Sequence, residues 1–90
     1  MSTLKEFKVV GVSFHNGAYK VRYANSTSRA KVLAKNGHTD ILLIELEQAE
    51  RKMECMHMLL DYMDSAQCEL NEAQRAAVVE EAREMGYVIA

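Results

Sequence analysis

Apolar and polar residues alternate near the start of the chain: Val10, Val12 and Phe14 are each separated by one residue, as are Tyr19, Val21 and Tyr23. A period of two marks a strand with one buried face. Between the runs stands Asn16-Gly17, the pair best suited to the positive φ angles of a two-residue type I′ turn. A hairpin from Leu4 to Tyr23 follows, and the turn sets its register: Phe14 faces Tyr19, Val12 faces Val21 and Val10 faces Tyr23. Ser13, His15, Lys20 and Arg22 take the opposite surface. Phe7 and Val9 fall there too, so the open end of the hairpin is expected to be packed on both sides. Gly11, lacking a side chain, marks a bulge or a close backbone approach.

The period then lengthens. Ser26-Thr27-Ser28 offers N-caps for a short helix over Arg29 to Lys35, with Ala30, Leu33 and Ala34 inward and Asn36-Gly37 as its stop. Asp40 to Glu47 reads as a half-buried third strand, parallel to the second through a right-handed crossover and lying beside the first. Leu42, Leu46, Ala49, Met53, Met56, Leu60 and Met63 recur at spacings of four and three, the seam of an amphipathic helix from Ala49 to Asp64. Because that seam extends back to Leu42, the alternative is one long helix over residues 40–64. Asn71-Glu-Ala-Gln74 has capping-box spacing for a last helix that ends near Met85, with Gly86 as its stop. Leu70, Ala73, Ala77, Val78, Ala82 and Met85 give it an apolar side, and Ala76 and Val79 spill onto another. Tyr87 to Ala90 is expected to dock on the core or add an edge strand. The predicted fold is a single α+β domain: N-terminal hairpin, short helix, third strand, then two C-terminal helices packed on one face of the sheet.

Ninety residues with 49% apolar and 27% charged content suit one folded domain small enough to lean on a partner. Charge changes the picture more. Residues 1–40 carry seven Lys/Arg against two Asp/Glu, or +5, and residues 41–90 carry four against eleven, or −7. Such a division suits an acidic helical face aimed at a basic partner, a basic hairpin aimed at phosphate, or two faces that attract each other within the domain. No apolar run has the length of a membrane span and residues 1–20 lack a signal-peptide core, so a cytoplasmic protein is expected. Cys55 and Cys68 are then free thiols rather than a disulfide framework.

Met53-Glu-Cys-Met-His-Met58 holds soft ligand atoms, but Cys55 and His57 stand about 200° apart around a helix and cannot close on one ion. No metal, cofactor or catalytic residue is therefore assigned. Gly37-His38-Thr39-Asp40 carries groups able to transfer protons, yet Thr and Asp beside Asn-Gly are ordinary turn and cap residues. Phosphate-cradling loops, dinucleotide fingerprints, nucleophile elbows and zinc-protease motifs do not occur in the chain.

Arg29-Ala-Lys-Val-Leu-Ala-Lys-Asn-Gly-His-Thr-Asp-Ile41, followed by Leu43-Ile-Glu and Leu46, resembles small accessory proteins of tailed bacteriophages. In those sequences the stretch after the Glu-Leu carries prolines; here it is Glu47-Gln48-Ala49, so the loop before the helix is shortened or absent. The resemblance implies a bacterial host cell and brings no functional residue with it. Together these readings predict a non-enzymatic module that binds and modulates a host protein. Its surface is the acidic, Met-rich helix: Glu50, Met53, Glu54, Met56, His57, Met58, Asp61 and Tyr62. The alternative is nucleic-acid binding through Lys20, Arg22, Arg29, Lys31 and Lys35. The arc from Met53 and Met56 through Met58, Leu59, Leu60, Tyr62 and Met63 is wider than one packed face requires, which predicts a two-fold homodimer built on this helix.

Overall fold

The computed structural model describes residues 9–47 and 51–89. Leu4, Phe7, Ala49, Glu50 and Ala90 lie outside the described residues. The order is β1 (Val9–His15), β2 (Ala18–Ala24), α1 (Thr27–Lys35), β3 (Thr39–Glu45), α2 (Lys52–Met63) and α3 (Glu72–Glu84). This is an α+β fold whose sheet runs β2-β1-β3, antiparallel throughout.

The hairpin register is the expected one, with Val10 opposite Tyr23, Val12 opposite Val21 and Phe14 opposite Tyr19. Asn16 (φ 53°) and Gly17 (φ 80°) both take the left-handed region that a type I′ turn requires. Phe14 and Tyr19 meet edge to face, ring centres 5.1 Å apart. Gly11 is a close approach: a Cβ there would run into the Leu42 carbonyl and lie 2.7 Å from Leu43 Cδ2.

Residues 39–45 form a strand, so the single long helix over 40–64 does not occur. Two residues of β3, Asp40 and Ile41, stand opposite Ser13, because Val12 pairs with Leu42 and Phe14 with Thr39. Asp40 absorbs this bulge at φ 55°, a conformation that Asp tolerates better than most side chains.

Two layers of helix enclose the sheet. On one face α2 and α3 cover Val10, Val12 and Val21, forming a core with Leu46, Cys55, Met56, Leu59, Leu70, Val78 and Ala82. On the other, α1 packs Ala30 against Val9 and Ala24, with Leu33 and Leu43 beside them. The hairpin is therefore buried on both sides near its open end, as Val9 predicts. The crossover from β2 to β3 carries α1 over this second face.

The buried stripe of α2 is displaced from the predicted seam. Cys55, Met56 and Leu59 are buried, while Met53 is 55% exposed. The helix is apolar around most of its circumference, so the 4-3 pattern fits more than one stripe; Cys55, packing as a small hydrophobe, belongs to the one chosen. In α3 the buried residues are Gln74, Val78 and Ala82, and Ala73 is exposed. Gln74 is turned back by the capping box, its Oε1 accepting from Asn71 N–H at 2.9 Å. Among the described residues no strand forms after Gly86. Tyr87 and Ile89 pack partly on the core, and the Tyr87 hydroxyl donates to the Met53 carbonyl at 2.8 Å.

Candidate functional site

The α2 residues expected to form a recognition surface divide between surface and interior. Met56 is fully buried and leaves that surface; it is a core residue. Tyr62 is half-buried, its hydroxyl accepting from Glu69 N–H at 2.9 Å and lying 3.3 Å from the Gln67 carbonyl, so it ties down the connection to α3. Glu54, His57 and Asp61 are exposed, and His57 Nε2 lies 3.7 Å from Asp61 Oδ2 one turn away. Met53, Glu54, His57, Met58 and Tyr87 line a shallow depression of about 290 Å³. Cys55 points the opposite way, into the core, where burial and then Glu54 push its thiol up to about 11. It is a protonated packing residue rather than a nucleophile. Among the described residues no three His, Cys, Asp or Glu side chains are grouped to hold a metal ion, and no helix is long and apolar enough to cross a membrane.

A polar cluster lies on the second face of the sheet, beyond α1. Ser13, fully buried on β1, is 3.2 Å through Oγ from His38 Nδ1. His15 Nδ1 donates to the Gly37 carbonyl at 3.1 Å. The two imidazoles stack with centres 4.2 Å apart. Burial first, then the charges of His15 and Arg22, hold the His38 imidazole below its ordinary pKa and favour the neutral ring. Seen as a Ser-His pair this arrangement lacks access, since a fully buried Oγ meets no substrate. Its visible work is to pin the α1–β3 connection to β1.

Of the alternative nucleic-acid residues, Lys20, Arg29, Lys31 and Lys35 are exposed and Arg22 is half-buried. Lys20 and Arg22 share the second face with α1, so the fold brings these five residues to one side of the sheet. Arg22 Nε is buried there without a hydrogen-bond partner among the described residues.

A third feature was not legible in the sequence. Among the described residues β2 is a sheet edge, and α3 packs chiefly on it. Between them runs an open groove of about 610 Å³. Ala77, Glu80, Glu81 and Glu84 form one stripe of α3 along it, β2 supplies residues 18–23, and Lys52 enters from α2. The Tyr23 hydroxyl reaches Glu81 Oε2 at 3.5 Å, and burial together with that carboxylate pushes its pKa far up. Lys52 Nζ sits 5.5 Å above the Tyr23 ring. The acidic composition of the last helix was visible beforehand; its placement beside an open strand edge depends on strand order.

Comparison of the chain with protein-family models, with curated proteins and with solved structures finds no match.

Proposed function

We propose that this chain is a non-enzymatic protein-binding module, in fuller form a phage-encoded modulator or inhibitor of a host protein, whose contact surface is the outer side of α2. The observation that carries this reading is Met53, 55% exposed at the mouth of an apolar depression that Met58 and Tyr87 share. An exposed thioether side chain is flexible enough to fit an irregular partner, and Glu54 and His57 give the depression polar edges, with Asp61 beside His57. The fuller form rests on the phage resemblance of residues 29–46. The test is capture from bacterial lysate with the wild type and with Met53→Glu. A retained protein should be lost from the variant, or bind it at least about tenfold more weakly, because a carboxylate replaces a buried apolar anchor. Circular dichroism should be unchanged, Met53 being outside the core. Equal capture by both proteins would remove α2 as the contact surface.

A second reading, nucleic-acid binding, is favoured by one observation: Lys20 and Arg22 share a face with α1, which carries Arg29, Lys31 and Lys35. Affinity there should fall steeply with salt as phosphate contacts are lost. A mobility shift absent at low salt would dispose of it.

A further inference from the structure

We infer that the groove between β2 and α3 binds an extended peptide strand that carries Lys or Arg at alternate positions. Three features of the groove converge on this occupant. The first is the hydrogen-bonding state of β2. In a hairpin closed by a two-residue turn, His15 and Ala18 form the first hydrogen-bonded pair, and such pairs then alternate. Residues 18, 20, 22 and 24 therefore direct their backbone groups to β1, while Tyr19 and Val21 direct theirs outward into the groove. A strand laid along this edge would complete the ladder.

The second is charge. An added strand places alternate side chains on opposite faces of the sheet. Those on the helix-covered face would meet Glu80, Glu81 and Glu84, which outnumber Lys52 there and favour cations. Those on the other face would lie beside Lys20 and Arg22, where acidic or small neutral residues fit. The recognised pattern is thus a charge alternation and not a basic block.

The third separates a foreign strand from a second copy of this chain. Antiparallel pairing of β2 with its own copy about Val21 would set Lys20 against the partner copy's Arg22 on one face. It would also bring the two acidic stripes of α3 together on the other. Like charges directly opposed across strands are destabilising, so the edge is protected against itself while remaining open to a complementary strand.

The inference is independent of the α2 surface proposed above. Its test is fluorescence anisotropy with labelled peptides of the length of β2, seven residues. One peptide alternates Lys with Thr, a second has the same composition with its lysines in a block, and a third is the alternating peptide N-methylated on every other backbone amide. The alternating peptide should bind saturably. The block and N-methylated peptides should bind at least about tenfold more weakly, the first by misplacing its charges and the second by losing the ladder. Glu80→Lys/Glu84→Lys changes two exposed positions; with native circular dichroism it should lose the Lys peptide and gain one that alternates Glu with Thr. Met53→Glu should bind the Lys peptide as the wild type does. Equal binding of all three peptides would reduce the effect to general electrostatics and overturn the inference, as would no binding of the alternating peptide up to millimolar concentration. So would concentration-dependent self-association that the peptide suppresses, since that assigns the groove to a second copy.

Discussion

His38 is buried where β3 begins, and its neutral form is what the site accommodates. The unfolded chain binds its proton with an ordinary pKa of 6.5; the folded chain binds it more weakly because of burial, His15 and Arg22. Between the two values the unfolded state holds more protons, so stability rises with pH. The contribution is fully present above about 6.5 and is lost as pH falls through that value towards the lowered one. Urea midpoints measured in steps from about pH 7.5 to about pH 5 should fall, and should fall less in His38→Gln, whose amide takes no proton in that window. Identical slopes for the two proteins would refute the assignment. Gly11 and Met53 show two kinds of legibility at this scale. A glycine within an alternating strand announces close approach, and the Leu42 carbonyl supplies it. Met53, at a seam position by spacing, is exposed because burial on a helix apolar nearly all round is decided by the angle at which it docks.

The helices differ in how much local sequence supports them. α3 has a complete capping box, with Asn71 Oδ1 accepting from Gln74 N–H at 2.8 Å and Gln74 returning the bond at 2.9 Å. Ser26 caps α1 through the Arg29 amide at 3.2 Å. α2 begins at Arg51 without a side-chain cap and has no basic residue in its last turn. It is held by the packing of Cys55, Met56 and Leu59, which explains why its start was the hardest boundary to read. Removing the α3 cap should therefore be felt: Asn71→Ala should cost about 1 kcal/mol in a urea titration, the ordinary loss of an Asn N-cap. An unchanged midpoint would mean that Leu70 and Val78 hold that helix end unaided. Asn16-Gly17 and Asn71-x-x-Gln74 were readable because turns and caps are satisfied within a few residues, without reference to the rest of the fold.

For the molecule as a whole, two-fold pairing through α2 stays a proposal, with fewer outward residues to carry it than the arc from Met53 to Met63. Met56 and Leu59 are fully buried, and Met58, Leu60, Tyr62 and Met63 pack against the core. The pairing then rests on Met53, 55% exposed, and the shallow depression beside it, with Glu54, His57 and Asp61 exposed on the same helix. Light scattering across a dilution series tests it: a doubled mass supports the pairing, and a monomer near 10.2 kDa at every concentration overturns it. Part of the charge division along the chain becomes a division in space, with Lys20, Arg22 and α1 on one side of the sheet and Glu80, Glu81 and Glu84 of α3 on the other. The sequence alone determined the hairpin and its register, the α1, β3 and α3 elements to within a residue or two, and the two-sided burial of Val9, because alternation, turn chemistry and caps act over short separations. Only the tertiary structure decided which stripe of α2 is buried, that Ser13 and His38 meet across 25 positions, and that Glu80 and Glu84 stand beside an open β2 edge. Those outcomes depend on strand order and helix docking angle, which are set by the summed packing of distant residues.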